Sequence, residues 1–109
     1  SANIYPDCSN STAIGSSSKI TAQESISIGV LAETSGSSSV SIGNSATASG
    51  KYSVSLGKSS KAEASTVSVG DGSASTLYGK RRIVNVEEPK NMSDVATKRD
   101  RIWRHSVRR

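Results

Sequence analysis

Ser39-Val40-Ser41-Ile42-Gly43 and Ser53-Val54-Ser55-Leu56-Gly57 are near-copies of one another, fourteen residues apart. Working outward, Ser25-Ile26-Ser27-Ile28-Gly29 and Ser11-Thr12-Ala13-Ile14-Gly15 come before them, and Thr66-Val67-Ser68-Val69-Gly70 comes after. The spacing from Gly15 to Gly29, Gly43, Gly57 and Gly70 is 14, 14, 14 and 13. Apolar residues keep the register as well as the glycines. They stand one place before each glycine and, in every unit but the first, three places before it as well, with Ser or Ala between. Period-two alternation of β-branched residues is a strand signal. Residues i and i+2 of a strand share a face. Ile14, Ile26, Ile28, Val40, Ile42, Val54, Leu56, Val67 and Val69 therefore form an apolar ladder on one face. Gly15, Gly29, Gly43, Gly57 and Gly70 mark the turns that follow.

The second half of each repeat alternates small residues. Three after the glycine stand Ser18, Ala32, Ala46 and Ser60; five after stand Ile20, Thr34, Ala48 and Ala62; seven after stand Ala22, Gly36, Gly50 and Ala64. This suits a second strand in a tight space, with Gly36 and Gly50 at a corner that needs unusual backbone angles. Each repeat is thus expected to be two short strands and two turns. Fourteen residues hold no helical unit, and a period of this length marks a solenoid. Stacked coils rise about 4.8 Å each, so five make a rod of about 25 Å. Each coil's backbone hydrogen bonds go to the coils above and below, which lets little apolar mass hold the fold. A thin coil leaves apolar residues uncovered, so several chains side by side are expected. The pattern leaves open whether the ladder faces the chain's own lumen or a neighbour.

Composition agrees. Of 109 residues 25 are Ser, 23 of them before Lys80; there are three Tyr, one Trp and no Phe. A globular core of large side chains is excluded, and a disordered Ser/Gly linker would not keep Val, Ile and Leu in register. Residues 1–79 carry net charge −1 and residues 80–109 carry +6. The basic character belongs to the tail, so no nucleic-acid partner is expected for the repeat region. The lone Cys8 has no disulfide partner in the chain and no metal-site spacing. Its role is left open. The single His105 lies in the basic tail, and the serines have no activating base and no G-x-S-x-G elbow. No enzyme activity, cofactor or metal is expected.

After Gly70 the repeat stops. Asp71-Gly72-Ser73 is a turn signal. Tyr78-Gly79-Lys80-Arg81-Arg82-Ile83-Val84-Asn85-Val86 holds a short apolar core, Glu87 to Asn91 reads as a loop, and Ser93-Asp94 reads as a helix start. Residues 1–10 sit on the register without its pattern and are expected to form a frayed or capping coil.

The fourteen-residue S-V-S-I-G repeat resembles the head repeats of the trimeric autotransporter adhesins, the YadA-like family. Val67-Ser68-Val69-Gly70, Arg81-Arg82-Ile83-Val84-Asn85-Val86 and Asp94-Val95-Ala96-Thr97 are similar to the neck that follows such heads, which reads V-S-V-G, R-R-I-x-N-V, D-A-V-x. The likeness covers about residues 11–97. It implies an all-β fold: a left-handed parallel β-roll head over 1–70, a neck over 71–93, and the start of a coiled-coil stalk or a basic tail over 94–109. It implies a homotrimer in which the neck crosses each chain to a neighbour. It implies a place on the bacterial cell surface, held to the outer membrane by a C-terminal barrel outside this chain, as part of a longer exported protein. Such heads bind host extracellular matrix proteins such as collagen or fibronectin, immunoglobulin, cells or one another. Val40, Ile42, Val54, Leu56, Val67 and Val69 match the family's buried head positions. Arg81, Arg82, Ile83, Asn85 and Val86 match the neck strand, and Asp94 matches the start of its helix. No ligand site carries over. The family's stalk continues with apolar heptads, whereas residues 98–109 are dominated by Lys and Arg. Other readings are a non-adhesive phage or device shaft, a tail that binds anionic polymers, and an ice-templating surface, which the absence of a recurring Thr position disfavours.

Overall fold

A computed structural model describes residues 3–4, 9–74 and 77–98. Among the described residues ten short strands alternate between two parallel sheets. One sheet contains β1 (Asn3–Ile4), β3 (Lys19–Ile20), β5 (Glu33–Thr34), β7 (Thr47–Ala48) and β9 (Lys61–Ala62), in that order. The other contains β2 (Thr12–Ile14), β4 (Ile26–Ile28), β6 (Val40–Ile42), β8 (Val54–Leu56) and β10 (Val67–Ser68). Every pairing is parallel and joins residues one repeat apart, as in Ile26↔Val40 and Val40↔Val54. The chain is an all-β parallel solenoid of about four turns. Residues 3–4 lack the repeat's pattern and still enter the first coil, where Asn3 pairs with Lys19 and Ile4 with Ile20. Cys8 lies outside the described residues.

The core is a column of small side chains. Ile20, Ala32, Ala46, Ala48 and Ala62 are buried, and so are Ser18, Thr34 and Ser60. So is the middle residue of each three-residue strand after the first: Ser27, Ser41 and Ser55. Ile20 is the largest fully buried side chain. With two sheets separated only by residues of this size, a lumen filled to normal protein density has no room for a layer of Ile and Leu.

Serine earns its frequency at the second corner of each coil. Ser11, Ser25, Ser39 and Ser53 stack in line. The backbone N–H of Ser25 donates to Ser11 Oγ at 3.2 Å, that of Ser39 to Ser25 Oγ at 3.5 Å, and that of Ser53 to Ser39 Oγ at 3.0 Å. The hydroxyls donate in turn to corner carbonyls, Ser25 to Gly36 O at 3.0 Å and Ser39 to Gly50 O at 2.8 Å. Such bonds are each worth about 1 kcal/mol net, and more if left unmade in a dry column.

Two turns per coil need left-handed backbone, and they recur every seven residues. Asn10, Ser17, Glu24, Leu31, Ser38, Ser45, Tyr52 and Ser59 all have φ between 56° and 63°. Asn tolerates this region better than most residues, whereas Leu31 and Tyr52 hold it at a cost of about 1–2 kcal/mol. Gly15, Gly29, Gly43 and Gly57 supply further positive angles at the first corner. Gly36 and Gly50 depart from the expectation, because neither has a left-handed backbone. Their requirement is space: a Cβ on Gly36 would run into the Gly50 carbonyl, and one on Gly50 into the Ala64 amide.

Two further expectations are corrected. No strand forms at Arg81–Val86 within the single chain, where the backbone is irregular. Ser93 and Asp94 form a turn; helical backbone is first met at Lys98, and residues 99–109 lie outside the described residues.

Candidate functional site: an outward aliphatic face

Each three-residue strand turns its middle residue inward, so its two flanking residues point out. Register aligns these flanks in two adjoining columns on one sheet. Thr12, Ile26, Val40, Val54 and Val67 stack in one; Ile14, Ile28, Ile42 and Leu56 stack in the other, with Val69 following them in sequence. Ile14 is 54% exposed and Val67 68%; Ile26, Ile42 and Leu56 are also exposed, and Ile28, Val40, Val54 and Val69 are half-buried. Of the two places open to the ladder, it therefore takes the outside. As buried head positions these residues have no cover from their own chain, because the lumen belongs to the serines and alanines between them.

The opposite sheet presents a different surface. Its outward column is Lys19, Glu33, Thr47 and Lys61, flanked by the exposed Thr21, Ser35, Ser49 and Glu63. One face of the solenoid is thus aliphatic and the other polar. A soluble single chain seldom exposes a continuous apolar surface running the length of the molecule unless something covers it. Val30 and Leu31, 45% and 57% exposed, carry the apolar character round the first corner of one coil. The other first-corner pairs are polar: Ser16-Ser17, Asn44-Ser45 and Lys58-Ser59. The repeat pattern gave no sign of this pair, since both residues stand at turn positions.

The far end of the solenoid gathers residues of the segment read as a neck. Asp71 and Gly72 donate backbone hydrogen bonds to Tyr78 O and Gly79 O at 3.0 and 2.9 Å. Gly70 is buried against the Gly79 carbonyl and, unlike Gly15, Gly29, Gly43 and Gly57, has no left-handed backbone. Lys58 Nζ stands 4.9 Å from the centre of the Tyr78 ring. Arg81 reaches back onto the last coils, donating to Val69 O and to Lys58 O. Arg82, Ile83, Asn85 and Val86 are exposed. Asp94 Oδ2 accepts the N–H groups of Lys90 and Asn91 at 2.9 and 3.0 Å. Those two donors hold its carboxyl below the usual 3.8 against a small opposing effect of desolvation. Among the described residues no cluster of His, Cys, Asp or Glu could hold a metal ion, and no helix is long and apolar enough to cross a membrane.

A family model described as the YadA head domain repeat, in two copies, matches residues 21–46, 35–60 and 48–74. Successive matches advance by one coil, in the register of the strand pairings. They end at residue 74, so the segment after the head is not covered. No curated protein matches the chain.

Proposed function

Residues 21–74 are YadA head domain repeats, which makes this solenoid a YadA-like trimeric autotransporter adhesin head, and on that premise we propose that three copies pack through their aliphatic faces into a surface-borne head that attaches bacteria to host molecules. The observation carrying this reading is the pair of uncovered aliphatic columns on one sheet. Burying one such side chain stabilises association by up to about 1.5–3 kcal/mol. Nine of them per chain are ample for a stable interface, even after the cost of association. The polar sheet then faces outward, where it meets the host surface.

In this reading residues 1–70 are the head, 71–93 the neck, and 94–109 the start of a stalk or a basic tail. The chain works as part of a longer exported protein at the outer membrane. The family is one of adhesins, and catalysis has no part in the mechanism. A trimer displays each epitope three times, and many trimers per cell multiply weak contacts into firm attachment. The ligand class is host matrix protein, such as collagen or fibronectin, or immunoglobulin.

The test has two parts. Light scattering of the full chain is expected to give a trimer mass; a monomer at micromolar concentration defeats the assembly. Immobilised collagen, fibronectin and immunoglobulin are then offered to the full chain and to one lacking residues 98–109. Retention of binding without the tail supports the head as the adhesive part, and its loss places the function in the tail.

A further inference from the structure

We propose that Arg81 is the terminal cap of the solenoid: its guanidinium stands in for the peptide of a coil the chain does not build, and closes that end to a second copy stacking on it. The first corner of each coil shows what the next coil supplies. Leu31 N–H donates to Ser16 O at 3.0 Å, Ser45 N–H to Val30 O at 2.9 Å, and Ser59 N–H to Asn44 O at 2.8 Å. The next carbonyl in the series is Lys58 O. Its donor is Arg81 Nη2, at 2.6 Å. The residue before the corner glycine follows the same rule as far as Ile42. Ile14 O, Ile28 O and Ile42 O each accept the N–H of the next coil's glycine at 2.8 Å. The series breaks at Leu56, because the Gly70 N–H turns to Ser68 Oγ, and Arg81 Nη1 donates beside this corner to Val69 O.

Stacking repeats the substitution. A Cβ placed on Gly15 would meet the backbone of Gly29 at 2.8 Å, on Gly29 that of Gly43 at 2.6 Å, and on Gly43 that of Gly57 at 2.6 Å. On Gly57 it would meet Arg81 Cζ at 2.9 Å. The guanidinium therefore lies where the next peptide would lie, and it has the needed shape: planar, with N–H groups directed to two carbonyls at once. The end of a parallel sheet is otherwise a template for another chain. A coil approaching this corner finds its acceptors taken and meets a group that only donates. Both of its hydrogen bonds are made within one chain.

The test uses the full chain. Exchange of the Arg81 guanidinium protons, followed by NMR at low temperature, needs no substitution: protection is expected, and exchange as fast as that of the exposed Arg82 overturns the cap. Arg81→Ala is expected to lower the thermal midpoint by about 5–10 °C and to produce end-to-end species in sedimentation at raised concentration. Arg81→Lys is expected to recover less than half of the midpoint, because an ammonium cannot fork two carbonyls. Full rescue by Lys, or an unchanged midpoint and sedimentation in Arg81→Ala, overturns the proposal. Gly57→Ala supplies an independent check. With Arg81 present it displaces the guanidinium, so it lowers the midpoint more than in the Arg81→Ala background; equal effects in both backgrounds count against the cap. Trimer mass, read in the same runs, can fail without touching these outcomes.

Discussion

Ser27, Ser41 and Ser55 occupy one lumen column, yet their hydroxyls fare differently. Ser41 Oγ donates to Glu33 O at 2.8 Å, and Ser55 Oγ shares a hydrogen bond with Ser60 Oγ at 2.6 Å. Ser27 Oγ is buried with no partner, alone in this among the described residues. Its neighbour in the preceding coil is Ala13, aligned with it by strand register. An unsatisfied buried hydroxyl costs about 1–3 kcal/mol, whereas a satisfied one contributes about 1 kcal/mol. Ser27→Ala is therefore expected to raise stability by about 1 kcal/mol and Ser41→Ala to lower it by a similar amount. Chemical denaturation of the two variants beside the parent checks both signs; a loss on Ser27→Ala defeats the account. The sequence offers no means of telling these serines apart, since partners eight or five residues away exist only once the coils are stacked. The left-handed residues were more legible. Ser and Asn at period seven, as in Asn10, Ser17, Ser38, Ser45 and Ser59, were available as a signal. Leu31 and Tyr52 masked it, being residues whose side chains disfavour the conformation they hold.

Within an element, alternation establishes which residues share a face, and for the four three-residue strands and the two paired residues of β10 that reading matches the register. It cannot say which face is inside. The usual assumption sends aliphatic residues inward, but here the lumen is too narrow, and volume outweighs hydrophobicity. The neighbouring half-repeat held the clue, since Ser18, Ala32, Ala46 and Ser60 could only be filling a small space. Residues 81–86 carry a motif that says nothing of their conformation. Arg81 acts through a contact 23 residues back along the chain, beyond the reach of any local pattern. Ser93-Asp94 fits an N-cap and so reads as a helix start; the carboxylate instead binds amides that precede it. Those bonds favour the ionised form. The turn they hold is expected to be fully formed above pH 3.8, the usual carboxyl value, and to loosen as pH falls through the lower value of the folded state. Lys90 and Asn91 amide resonances followed by NMR from pH 6 to pH 2 should move together with Asp94. Amide shifts that stay constant through that range would show that the carboxylate is not what holds the turn.

At the scale of the whole molecule, the two faces of a single strand predict two different failures. Ser41 and Ile42 are adjacent in β6, and Ser41 is buried in the lumen while Ile42 is 39% exposed on the aliphatic face. Ser41→Asp puts a carboxylate into a column that offers no cation, a loss of several kcal/mol. Against a total stability of about 5–15 kcal/mol, that is enough to unfold the chain or leave it marginal at any concentration. Ile42→Asp leaves the lumen and every strand pairing intact. Its charge meets water in the single chain and becomes a buried, unpaired group only when copies pack. The single chain should keep its β-sheet circular dichroism while the assembly dissociates. Because assembly stabilises by mass action, the parent's thermal midpoint should rise with protein concentration, and that of Ile42→Asp should not. The contrast is sharper than either variant alone. If Ile42→Asp unfolds the chain as Ser41→Asp does, the aliphatic columns hold the single chain together rather than join several. If it changes neither mass nor midpoint, the columns join nothing, and the face is left without the neighbours that its chemistry calls for.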